Sequence, residues 1–92
     1  MKIKHDQTGS KGAFTAVSNG SEAGKLTYSK AGSTKIILDH TEVGPAFKGQ
    51  GVGRQLVMKA IEYARGNQLK IIPLCPYAKS VFEKTPEIRD VL

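Results

Sequence analysis

The stretch "VGPAFKGQGVGRQLV", Val43 to Val57, places Gly49, Gly51 and Gly53 between a β-branched run and a segment of helical period. Glycine lacks a Cβ, so the chain can turn sharply here and a ligand can approach the amides of Gln50 to Arg54. The first turn of a helix leaves its N–H groups unpaired and carries the positive end of the helix dipole. A strand, this loop and a helix in that order form a site suited to phosphate. Lys48 and Arg54 can add positive charge at either end of it.

The flanking segments supply those elements. "TKIILDHTEV", Thr34 to Val43, is rich in β-branched residues and is closed by Gly44 and Pro45, which predicts a strong strand. From Val52 the apolar residues Val52, Leu56, Val57, Ala60, Ile61 and Ala64 fall at helical spacing, with Arg54, Lys59, Glu62 and Arg65 on the other face. Gly66 with Asn67 supplies the stop. Upstream, Gly12 to Ser18 and Lys25 to Gly32 alternate as strands about a turn spanning Ser18 to Gly24, behind a frayed N-terminal strand. Downstream, Leu69 to Cys75 reads as a buried strand and Pro76 to Lys84 as a short helix, with the tail from Thr85 unassigned. The order β-β-β-β-α-β-α gives a mixed α/β fold: an antiparallel meander leading into a βαβ unit whose strands are parallel.

A chain of 92 residues can build one core, so residues 1–92 are expected to be a single domain. No apolar run approaches the roughly 20 residues that span a bilayer, and "MKIKHDQ" lacks the features of a secretory signal, so no membrane partner is expected and the location reads as cytoplasmic. Cys75 is the one cysteine, and no Cys or His residues stand at metal-ligand spacing, so neither a disulfide nor a metal is expected. The net charge of +6 favours anionic partners. Its lysines are scattered from Lys2 to Lys84 without a basic stripe or stacking aromatics, which argues against nucleic acid.

Two familiar glycine patterns fail. A phosphate loop of the Walker type needs Lys followed by Ser or Thr after its last glycine, and a dinucleotide fingerprint needs its third glycine where this chain has Arg54 or Leu56. What remains is K-x-x-G-x-G from Lys48 to Gly53, preceded by V-x-P-x-F from Val43 to Phe47. With "PYAKSVFEK" downstream, this resembles the GNAT superfamily of acetyl-CoA-dependent acyltransferases, Lys48 standing where that family usually has Gln or Arg. The resemblance covers roughly the last sixty residues. In particular the chain is similar to the very short GNAT-like proteins that carry "PLCP", here Pro73 to Pro76. It implies that the pyrophosphate of coenzyme A lies on Gly49, Gln50, Gly51, Val52, Gly53 and Arg54, beside Lys48. It also implies that the pantetheine pairs with backbone near Thr41 and Val43, and that the fourth and fifth strands splay to admit the thioester.

Acetyl transfer to an amine needs a base for the nucleophile and an acid for the departing thiolate. The tyrosine that often serves as that acid in the resembling family falls on Phe82, which has no proton to give; Tyr77 lies nearby as a first-turn aromatic that points elsewhere. Cys75 is a second candidate. Pro73 should end the strand pairing, and Cys75 then sits at the N-cap of the last helix, where the dipole favours a thiolate. Asp39, His40 and Glu42 end the strong strand; alternation puts His40 and Glu42 on one face and Asp39 on the other. His40 or Glu42 is a candidate base, His40 toward the amine or toward Cys75. A buried structural cysteine and a hydrogen-bonded structural histidine are the competing readings. His5 reads as exposed and idle.

Family members build their acceptor pocket from helices between the first two strands, and "QTGSKGAF" (Gln7 to Phe14) leaves no room for them. The acceptor side is therefore open, which suits a large acceptor such as a protein, or closure by a second copy; monomer and homodimer both stand. Two functions remain: an N-acetyltransferase moving acetyl from acetyl-CoA to an amine acceptor, or a coenzyme A or acyl-CoA binding protein without transfer.

Overall fold

The computed structural model describes residues 1–92. Four antiparallel strands come first: β1 (Lys2–Thr8), β2 (Lys11–Ser18), β3 (Ser21–Ala31) and β4 (Lys35–Val43). A 3-10 turn (Pro45–Phe47) and the glycine loop lead into helix α1 (Val52–Gly66), then β5 (Lys70–Pro73), α2 (Pro76–Lys84) and a second 3-10 segment (Pro86–Val91). The sheet order is β1-β2-β3-β4-β5, with β5 parallel to β4 as the crossover through α1 requires. No helix is long and apolar enough to cross a membrane.

The helical period predicted for α1 is the one that folds. Val52, Leu56, Val57, Ala60, Ile61 and Ala64 are buried, together with Gly53, and meet Leu26, Tyr28, Ile36 and Leu38 from the sheet. Full burial of each large aliphatic side chain contributes about 1.5–3 kcal/mol, so this one face holds the helix to the sheet. On the opposite face of the sheet Lys25, Thr27, Ser29, Ile37 and Ile72 all remain at least partly exposed.

Several boundaries differ from the expectation. The turn expected over Ser18–Gly24 is only Asn19 and Gly20, both left-handed at φ 50° and 81°. That pair forms a two-residue hairpin turn matched to strand twist, so pairing resumes at Ser21. β1 is not frayed, since Lys2 through Thr8 pair with β2. The left-handed residue that ends α1 is Gln68 (φ 55°), two positions beyond Gly66. β5 stops at Pro73 instead of Cys75, because Pro73 offers no N–H to continue the ladder. The tail closes the core with Ile88 and Val91, and Arg65 anchors it through Asp90 (2.6 Å) and the Glu87 carbonyl (3.1 Å).

His5 is not idle. Its Nε2 lies 2.6 Å from the Tyr28 hydroxyl, its ring stacks on Phe14 at 4.2 Å, and Tyr63 meets it edge-on at 4.6 Å. Burial in this cluster lowers the His5 pKa from its ordinary value, opposed by Asp6 and reinforced by Lys30.

Candidate active site

The glycine loop is built on two left-handed residues, Gly49 (φ 81°) and Gly51 (φ 74°), a conformation that L side chains adopt only with strain. A Cβ at either would meet nothing within 4 Å, so the loop's surface is open. Gly51 is the N-cap of α1 and provides no side-chain cap, and the first intrahelical bond runs from Gln55 N–H to the Gly51 carbonyl (3.1 Å). The amides of Val52, Gly53 and Arg54 therefore lack intrahelical partners, and no acidic residue in the first turn offsets the helix dipole.

Gly53 has a different task from the one its place in the motif implies. A Cβ there would stand 2.8 Å from the Tyr77 ring, so the missing side chain admits the aromatic from α2 while the Gly53 amide stays free in the first turn. Tyr77 accordingly packs against the start of α1. Arg54 Nη1 donates to Thr85 Oγ1 at 3.2 Å, tying α1 to the end of α2. Lys48 stays exposed on the loop.

Beside the loop the sheet opens. Parallel pairing of β4 with β5 ends at Leu38↔Pro73, and the Cys75 N–H closes the junction on the Leu38 carbonyl at 3.0 Å. Gly44 N–H bonds to the Ala23 carbonyl at 2.9 Å. From there the alternating antiparallel ladder bonds Glu42 to β3 and turns the backbone groups of Thr41 and Val43 toward the gap.

Cys75 lies at the apex of this gap, buried, as the N-cap of α2. Its Sγ is 3.3 Å from Thr41 Oγ1. Burial pushes the thiol pKa up. The Thr41 hydroxyl, the first-turn amides of Ala78 and Tyr77, and the Thr41 amide more than offset it, and the net shift is downward. The two helix amides point at the sulfur without closing a full capping hydrogen bond. The arrangement stabilises a thiolate facing the gap.

A bulge decides the rest. Tyr28 pairs with Leu38 and Thr27 with His40, which leaves Asp39 as an extra residue in β4. Simple alternation would separate Asp39 from His40, yet both line one cavity on the helix-free face, and His40 and Glu42 share an adjoining one. Thr41 stands opposite Leu26, on the α1 side. Cys75 is thus paired with Thr41, while His40 sits on the other face of the strand. Phe82 is buried in the core. Thr41's hydroxyl and the Lys11–Ser29–Asp39 chain escaped the sequence reading because their partners lie 10 to 34 positions away.

A family model described as GCN5-related N-acetyl-transferase matches residues 13–91. This chain belongs to that family. Human protein NATD1 is 28% identical over 87 residues, covering 94% of this chain and 75% of NATD1. The solution structure of a GCN5-like protein from Staphylococcus aureus superposes with TM-score 0.70 and 35% identity, over 96% of this chain and 85% of that one. An aminoglycoside N-acetyltransferase in complex with CoA shares the fold at TM-score 0.63 and 16% identity, over 84% of this chain and 67% of that one. GCN5-related acetyltransferases use acetyl-CoA, and family and fold together support transfer of acetyl to an amine; nothing here favours a coenzyme binder without transfer.

Proposed function

We propose that this GCN5-related acetyltransferase holds acetyl-CoA between the glycine loop and the β4–β5 gap and uses Cys75, His40 and Glu42 to pass its acetyl group to an amine. The observation that carries the reading is the ending of β4–β5 pairing at Leu38↔Pro73, beside a helix N-terminus whose amides are unpartnered. Residues Gly49 to Arg54 hold the pyrophosphate, with Lys48 at the rim, and the backbone of Thr41 and Val43 pairs with the pantetheine. The bound thioester supplies an activated acyl carbon.

Two routes follow for this chain's residues. In the first, His40 or Glu42 takes a proton from the acceptor amine, which then attacks the thioester directly. In the second, the Cys75 thiolate accepts the acetyl group as coenzyme A leaves, and the amine then displaces it from sulfur. The placement of His40 on the helix-free face supports activation of the amine over activation of Cys75.

Titration with acetyl-CoA, followed by amide NMR and intact mass, tests this. Saturable shifts on Gly49 to Arg54 are expected, with an added acetyl mass on Cys75 if the second route operates. A Cys75→Ala variant that keeps full turnover would remove Cys75 from the chemistry, and absence of saturable shifts would remove the coenzyme site.

A further inference from the structure

The largest cavity in the molecule, about 630 Å³, lies on the helix-free face of the sheet. Lys11, Thr27, Asp39, His40, Leu74 and Pro76 line it. Leu74 and Pro76 are the two neighbours of Cys75, so the cavity flanks the apex of the β4–β5 gap from the side away from α1. It exists because of the bulge, which turns Asp39 to the same side as His40.

Asp39 is held there. Its Oδ2 accepts from Ser29 Oγ at 2.6 Å, and Ser29 Oγ in turn accepts from Lys11 Nζ at 3.0 Å. The chain fixes the carboxylate's direction and leaves Oδ1 without a protein donor. A second cavity of about 250 Å³, lined by Lys25, Thr27, His40 and Glu42, shares Thr27 and His40 with the first. The two form one trough across β3 and β4. Small-molecule sites are concave and bury most of the ligand; both cavities here are open to solvent along the sheet, and their walls offer apolar as well as polar surface. An open trough that sets Asp39 and Glu42 beside His40, with Lys11 and Lys25 also in its walls and Leu74 exposed at one end, fits an extended polypeptide that brings a primary ammonium group.

Resting on the acetyl-transfer reading, we infer that the trough between Lys11 and Glu42 is the acceptor site and that its occupant is an extended peptide segment bearing a primary amine. Asp39 holds the ammonium group and exposed Leu74 contacts the segment's apolar atoms. His40 takes one of the ammonium's three protons, the nitrogen forms its bond to the acyl carbon as the C–S bond breaks, a second proton goes to the departing sulfur, and the third stays on the amide nitrogen. Asp39 is thus a binding residue and Ser29 a positioning residue that acts through it.

The test is amide NMR on the full chain saturated with coenzyme A, which cannot react. Three probes are titrated: acetyl-Gly-Lys-Gly amide, whose one amine is a lysine, Ala-Gly-Gly amide, whose one amine is the N-terminus, and n-butylamine. At least one peptide should shift Lys25 to Ser29 and Asp39 to Glu42, and the responding peptide names the amine. Asp39→Asn should weaken that binding roughly tenfold by removing a charge-assisted hydrogen bond, with Ser29→Ala weakening it less. In both variants the coenzyme shifts on Gly49 to Arg54 should stay unchanged, which shows that they fold. Peptide shifts elsewhere or absent, n-butylamine binding as well as the peptides, or an Asp39→Asn variant that binds normally would each overturn the inference. Missing coenzyme shifts would instead sink the transfer reading, and this inference with it.

Discussion

Substituting the loop glycines separates two reasons for the same residue type. Gly51 sits at φ 74° with open space around it, so Gly51→Ala meets no clash and suffers only from a left-handed backbone. That conformation costs an L-residue about 1–2 kcal/mol. For a chain of this size each kcal/mol lowers Tm by about 4–8 °C. Gly53 is helical, and alanine there gains up to about 1 kcal/mol of helix propensity, against a Cβ that would stand 2.8 Å from Tyr77. Tyr77 is 40% exposed, so its ring can swing away and the two effects nearly cancel. Thermal unfolding by circular dichroism should therefore place Gly51→Ala clearly below the wild type and Gly53→Ala close to it. Semisynthetic D-alanine at position 51, which favours positive φ, should restore the loss. An L-alanine variant as stable as the wild type, or a D-alanine variant no better than the L form, would refute the backbone argument.

Thr41→Val should raise the Cys75 pKa, read as a shift to higher pH in the iodoacetamide alkylation profile. The same shift makes a stability prediction. Because the folded thiol's pKa is lowered, its contribution is fully present above the ordinary thiol value of about 8.5 and is lost as pH falls through the folded value. Cys75→Ala should flatten that slope in denaturant unfolding. For His5 the slope has the same sign from a different cause: a base with a lowered folded pKa resists protonation, so stability falls as pH drops below the ordinary histidine value of about 6.5 and levels off once the folded value is passed. His5→Gln should remove this acid-side loss, and an unchanged slope would mean that another group carries it. Gly12→Ala should cost about 1–3 kcal/mol by overpacking, because its Cβ would collide with the buried ring of Tyr28. Chemical unfolding showing no loss would mean that Tyr28 does not pack where described.

Local pattern alone determined the elements of this protein and its glycine loop. Hydrophobic period placed α1, β-branched residues placed β4, and glycines ahead of an amphipathic run marked a candidate anion site, since each is written within one or two turns of chain. Pro73 announced the end of β5 for the same reason: a missing N–H is a property of the residue itself. Tertiary structure decided which side chains meet. Whether Asp39 joins His40 depends on a bulge set by pairing with β3, and whether Cys75 meets His40 or Thr41 depends on which face of β4 looks at α1. Gly53 serves Tyr77, 24 positions away, and His5 serves Tyr28, 23 positions away. Contacts at such separations are fixed by strand register and helix docking, whose energies are summed over the whole core, so no short stretch of sequence records them.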